Sequence, residues 1–230
     1  MKEKTVGEIV SDDIRTATVF KKHGLDFCCG GGEKLETACQ KKGADLEAIV
    51  ADLELVLSDE KSSDDFQAMP LNKLVDHIFN THHQFIYENG PVTAEFINKV
   101  ARVHGERHPE TVEVAKLFND LMQDLHQHMM KEERILFPYI KQMVQDSFSN
   151  GAFVNGPISV MMAEHDTAGE ILKKMNALTS GYEPPVDGCN TYRAAYANIQ
   201  ALEEDIHMHI HLENNILFPK ALELEEQLLG

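Results

Sequence analysis

The sequence is short of positive charge. It carries 21 Lys and Arg against 38 Asp and Glu, a formal charge of −17. Such a chain repels a nucleic-acid backbone and an anionic membrane surface, so neither is expected as a partner. No stretch approaches the ~20 apolar residues that span a bilayer. The first residues do not join a basic stretch to an apolar run, so no signal peptide is expected. Cysteine is scarce too: four in 230 residues, two of them the neighbours Cys28 and Cys29. Adjacent cysteines rarely pair with each other, and free thiols in a reducing cytoplasm are the better expectation. Trp is missing altogether, which excludes nothing.

What is present is histidine, twelve in all, with eleven from His77 onward. Two of them begin an internal repeat. His128-Met-Met-Lys-Glu132-Glu-Arg-Ile-Leu-Phe-Pro138 returns 81 residues later as His209-Ile-His-Leu-Glu213-Asn-Asn-Ile-Leu-Phe-Pro219, with six of eleven positions identical. On a helix, positions i and i+4 share a face, so each copy aims an imidazole and a carboxylate at one point. The repeat extends upstream, where His165 lies 44 residues before His209 and His83 lies 45 before His128. The chain after about residue 70 therefore reads as one helix pair used twice.

Helical periodicity organises the whole chain. Residues 1–57 read as a small helical domain. In it Ser11-Asp12-Asp13 caps a helix carrying Ile14, Ala17, Val19 and Phe20. A glycine-rich turn follows at His23 to Gly32, Glu33 opens a second helix that Gly43 ends, and Asp45 caps a third. Residues 58–69 read as a linker, polar and without period from Ser58 to Asp65. From Pro70 to the C-terminus, four long helices with one apolar face each are expected to form a bundle. Gly90-Pro91 is expected to kink or break the first of them. The second spans about Pro109 to Gln145, and Gly151 to Gly156 is a loop. Pro157 starts the third, which ends near Ser180-Gly181, and the last fills about Thr191 to Gln227. Nothing reads as a strand, so the fold class is all-α.

Imidazole with carboxylate suits iron, manganese or zinc, and the lack of Cys around these motifs disfavours a sulfur site. Four His and two Glu exceed what one zinc takes but suit two metals, each with two terminal His and the two Glu as bridges. A lone His on an apolar face is usually a core or surface residue, but the repeat singles out His128, Glu132, His165, His209 and Glu213 as ligands. For the first position the apolar spacing of Leu71, Val75 and Ile78 favours His82, and the repeat spacing favours His83. His207, His211 and His126 read as residues of solvated faces, and the Phe-Pro steps as packing and helix-end features. Cys28-Cys29, just before the helix expected at Glu33, reads either as a redox-active or iron-handling thiol pair, its thiolate favoured by the helix N-terminus, or as two small residues in a tight turn. Cys39 reads as a helix-core residue.

Several motifs together resemble the RIC family, the "repair of iron centres" di-iron proteins. They are Asp26-Phe-Cys28-Cys29-Gly-Gly31, His128-Met-Met-Lys-Glu132-Glu133, Gly156-Pro-Ile-Ser-Val-Met161 leading to Glu164-His165-Asp166, and His209-x3-Glu213-Asn-Asn215. The resemblance covers nearly the whole chain. It implies a hemerythrin-like four-helix bundle behind the small N-terminal domain. It also implies a cytoplasmic protein with two non-haem, oxo- and carboxylate-bridged iron ions, repairing iron–sulfur clusters damaged by oxidative or nitrosative stress. The implied ligands are His83, His128, Glu132, His165, His209 and Glu213. The vicinal Cys28 and Cys29 gain weight as a functional pair, and Glu164 becomes a proton relay or spare carboxylate. The expected partners are NO or O2, iron–sulfur proteins and an electron donor, for a monomer or homodimer. The activity is either coupling of NO to nitrous oxide at the di-iron site or donation of iron to damaged proteins. The alternative is an O2 or NO carrier or sensor.

Overall fold

The computed structural model of the chain describes residues 1, 3–58, 65–145 and 153–229. Among these, everything regular is helical, and the sole extended pairing is an isolated bridge between Thr5 and Lys34. The chain folds as two compact units. The first comprises Met1–Val75, Ile140–Asn155 and His207–Gly230, and the second Asp76–Tyr139 and Gly156–Ile206.

The first unit opens with a helix that periodicity alone does not reveal, α1 (Val6–Asp12). Its signal is chemical: Thr5 Oγ1 accepts the N–H of Glu8 at 3.1 Å, and Glu8 Oε2 accepts that of Thr5 at 2.7 Å, a reciprocal cap that satisfies two unbonded donors. Ser11 and Asp12 therefore belong to α1, and the cap falls to Asp13 alone, which opens a 3₁₀ turn (Ile14–Thr16) leading into α2 (Ala17–Lys22). No helix begins at Glu33. α3 (Leu35–Lys42) starts two residues later, and Gly43 ends it in the left-handed region at φ 69°. Asp45 accepts from Glu47 and Ala48 at the head of α4 (Leu46–Ser58). Half of the expected linker, residues 59–64, lies outside the described residues.

The glycine-rich turn is laced to α1 and to the far end of the chain. Gly7 N–H donates to Gly31 O at 2.7 Å, and Asn215 Nδ2 donates to Cys28 O at 3.2 Å. A Cβ on Gly7 would lie 2.3 Å from Asn215 Oδ1, so only glycine allows this approach.

Four long helices build the second unit: α6 (Gln84–His104), α7 (Glu110–Lys131), α9 (Asn155–Leu178) and α10 (Asn190–Leu212), the last two shared with the first unit at one end. α5 (Leu71–Ile78) leads into α6. Their buried faces carry Ile97, Val114, Phe118, Leu121, Ile158, Leu172, Ile199 and Leu202, and together they form the expected four-helix bundle. Gly90-Pro91 does not break α6, which runs through both. Gly90 serves close packing there, since a Cβ on it would lie 2.8 Å from Met122 Sδ. α9 starts at Asn155 rather than Pro157, so Gly156 is helical.

Among the described residues three segments are π-helical: Phe79–His83 before α6, Glu132–Leu136 between α7 and α8 (Phe137–Val144), and Glu213–Leu217 between α10 and α11 (Phe218–Leu229). In each the next residue's N–H bonds five residues back: Gln84 to Phe79, Phe137 to Glu132 and Phe218 to Glu213. Pro138 and Pro219 stand two residues past the ends of two of them. Proline brings no N–H and crowds the carbonyl four residues back, and a widened turn just before it eases both demands.

Replacing Gly7 with Ala is expected to destabilise the protein by about 1–3 kcal/mol, the range for overpacking a tight contact. Chemical denaturation measures it, and an unchanged midpoint would show that Asn215 moves aside freely.

Candidate metal centre

In the second unit three candidate histidines gather around one carboxylate. Glu132 has no exposed surface. Its Oε2 lies 3.4 Å from His83 Nε2 and 3.3 Å from His128 Nε2. His165 Nε2 and His128 Nε2 are 3.0 Å apart. Each of His128, Glu132 and His165 offers a ligand atom, and these lie within 4.8 Å of one another. His83, His128 and His165 are at most 2% exposed.

The opposite edges of two rings are already committed. His83 Nδ1 donates to Glu133 Oε1 at 2.9 Å, and His128 Nδ1 donates to Glu164 Oε2 at 2.9 Å. Ionised carboxylates only accept, so these bonds place the ring protons on Nδ1 and leave Nε2 as a lone pair in the neutral rings. Lone pairs of His83 and His128 then face the oxygens of Glu132. That arrangement is repulsive by itself and attractive once a cation lies between. Metal–nitrogen bonds of about 2.1 Å place two adjacent nitrogens on one ion roughly 3 Å apart, as His128 and His165 stand. The donor set therefore fits a first-row metal ion.

The outer groups are held in turn. Tyr87 donates its hydroxyl to Glu133 at 3.0 Å, and burial together with that carboxylate pushes its phenol up to about 12. Burial would raise the Glu164 carboxyl, but hydrogen bonds from Lys131 and His128 prevail and hold it below the usual range. The Phe137 ring stacks on His83 at 5.4 Å, so the Phe-Pro step does serve the site. His128 and His165, with Lys131 and Glu164, line a cavity of about 250 Å³. His82 is turned elsewhere, its Nδ1 bound to Asp205 at 2.9 Å.

In the first unit, His209 and Glu213 are fully buried, with Nε2 and Oε2 3.2 Å apart. His211 does not face solvent as the helical angle suggests, because the N-terminal domain covers it. Its Nδ1 lies 3.2 Å from Phe27 O, and burial lowers its pKa to about 4. His207 also packs against Phe27, whereas His126 is exposed as expected. Cys28 and Cys29 lie in a turn that Asn215 holds through Cys28 O, their sulfurs 3.9 Å apart. The contact with Cys29 and burial push the Cys28 thiol well up, which works against a thiolate at that sulfur. Cys39 is buried in α3 as expected.

The sequence did not point to Glu133, Tyr87 or Phe137 as parts of the site. For Glu133 the doublet with Glu132 was the available signal. Mutating Glu133 or Glu164 to Gln is expected to weaken metal affinity about 10–100-fold, the range for outer partners of ligating histidines. A competition titration with a chelator reads it, and unchanged affinity in both variants would deny them an orienting role.

Comparison with known proteins places two families along the chain. The family described as "Hemerythrin HHE cation binding domain" matches residues 74–221, and the N-terminal "Domain of Unknown function (DUF542)" of the ScdA type matches residues 2–57. Proteins named "Iron-sulfur cluster repair protein YtfE" are similar throughout. Those of Enterobacter sp. (strain 638) and Citrobacter koseri are 39% identical over 221 residues, covering 96% of this chain and 97% of theirs. That of Yersinia pestis is 38% identical over the same extent.

Proposed function

Because the chain belongs to the RIC family of iron–sulfur cluster repair proteins, we propose that it holds two non-haem iron ions and helps restore iron–sulfur clusters damaged by nitrosative or oxidative stress. The residues that would hold them are His83, His128, Glu132 and His165 of the second unit and His209 and Glu213 of the first. The observation that carries this reading is the convergence of imidazole Nε2 atoms on buried Glu132 while their Nδ1 atoms are committed to Glu133 and Glu164. When bound, such a pair of irons supplies electrons and Lewis acidity toward a diatomic such as nitric oxide or dioxygen.

The chain's own residues do the rest. Glu133 and Glu164 fix the ring orientations, Tyr87 steadies Glu133, and Phe137 keeps water from one face of His83. The cavity beside His128 and His165 gives a small molecule its approach. The protein works in the cytoplasm, with a thiol-bearing domain at 1–57 and a metal-binding bundle at 70–230, and its clients are iron–sulfur proteins. Among the described residues no helix is long and apolar enough to cross a membrane.

Iron donation to a client is the second reading, and the seating of the Cys28–Cys29 turn on the stretch that carries Glu213 favours it: Asn215, two residues beyond that Glu, bonds to Cys28 O.

The purified chain is expected to carry about two irons, and Glu132→Ala to lose metal while circular dichroism stays helical. One zinc per chain, or full metal retention in Glu132→Ala, refutes the centre. The double variant Cys28→Ala, Cys29→Ala is expected to keep its iron and protect cells less well from nitric oxide. Undiminished protection would leave the pair a structural role.

A further inference from the structure

The four cysteines differ in access: Cys28 and Cys39 are buried, Cys29 is half-buried, and Cys189 is exposed. Cys189 immediately precedes α10, and its carbonyl accepts the N–H of Arg193 at 3.1 Å, the first bond of that 23-residue helix. It therefore occupies the N-cap, where a side chain meets the free N–H groups and the positive end of the helix dipole. Oxygen-bearing side chains usually hold this place. Here it is a thiol.

Beside the sulfur stands His104, the last residue of α6, with Nε2 3.4 Å from Cys189 Sγ. His104 is only 5% exposed, packed edge-on against the Tyr192 ring, and its Nδ1 has no hydrogen-bond partner. Its one polar contact is the thiol. A buried imidazole left half-satisfied is costly unless that single contact serves something. The loop that delivers Cys189 is pinned: Asp187 Oδ1 binds His108 Nε2 at 3.0 Å and Oδ2 pairs with Arg107, while Gly188 N–H closes a turn onto Pro185 O. Arg193, one turn into α10, is exposed and engages no carboxylate among the described residues. His104, His108, Asp187 and Cys189 do not converge closely enough to form a metal-holding group.

We propose that Cys189 is a reactive thiol that forms a mixed disulfide with a small disulfide bearing carboxylates. Sγ attacks one sulfur of the incoming disulfide as its proton passes to His104 Nε2. The disulfide bond breaks, and the departing thiolate takes that proton and leaves as a thiol. Cys189 is oxidised to the mixed disulfide and the released half is reduced, so no further oxidant is needed. Arg193 pairs with a carboxylate of the incoming molecule. The site owes nothing to the metal centre, and each can fail without the other.

The test exposes the full, metal-loaded chain to glutathione disulfide and follows each cysteine by peptide mass mapping. Cys189 is expected to acquire the glutathionyl group before Cys28, Cys29 and Cys39. Its rate should exceed that of the same cysteine in a synthetic peptide of residues 183–195 by about a hundredfold or more, the lower reach of a positioned base. His104→Phe, which keeps a ring in the slot, should bring the rate down to the peptide's. Arg193→Gln should slow glutathione disulfide more than cystamine, a cationic disulfide. A native rate no faster than the peptide's overturns the proposal, as does an undiminished rate in folded His104→Phe. Should that variant not fold, the comparison of chain with peptide decides alone.

Discussion

A carboxylate with no exposed surface is among the costliest side chains a helical core can hold, and this chain holds one in each unit, Glu132 and Glu213. The idealised cost of moving such an ion out of water is of order 20 kcal/mol. A whole domain is stable by only about 5–15 kcal/mol. The neighbours of Glu132 within the second unit do not repay that cost as neutral groups. Two of its imidazoles present lone pairs, and their far edges answer to further carboxylates. A cation between them would offset that cost, and the ring nitrogens are already set at the spacing of ligands on one ion. Much of the surrounding structure follows from that demand, including the commitment of Glu133 and Glu164, the tyrosine behind Glu133 and the aromatic ring laid on His83.

The internal repeat made the chemistry legible, because two copies of His-x3-Glu before Ile-Leu-Phe-Pro single out residues that no isolated histidine could. The helical class was equally plain from apolar spacing. The choice between His82 and His83 was not, and the reason is physical. Counting from Leu71, Val75 and Ile78 at 3.6 residues per turn arrives at His82, but the π turn at Phe79–His83 adds a residue to the count and brings His83 beside Glu132. No residue in that turn announces it. Pro138 and Pro219 do sit where the other two end, although a proline reads first as a helix breaker.

Other differences share a cause: a surface seen from sequence has no cover. His211 lies off the metal-facing side of its helix, and sequence assigns that side to solvent. In the folded chain the turn bearing Phe27 and Cys28 lies there, held by Asn215. The same packing buries Cys28 and pushes its thiol up, where the sequence left open a thiolate favoured by a helix end or a small residue in a tight turn. α1 does not show in the apolar pattern because a seven-residue helix carries too little period, although Thr5-x-x-Glu8 spells its cap.

The π turns give these helices a reading frame. A residue added or lost in a connecting loop is absorbed where it occurs. Within Glu132–Leu136 the same change would rotate everything after it by about 100°, one residue's share of a helical turn. Phe137 would swing off His83, and the apolar stripe of α8 would turn from its core. Length is therefore fixed in these short segments more strictly than most side chains are, and the bundle should tolerate variation in what its helices carry far better than variation in how many residues reach the ligands.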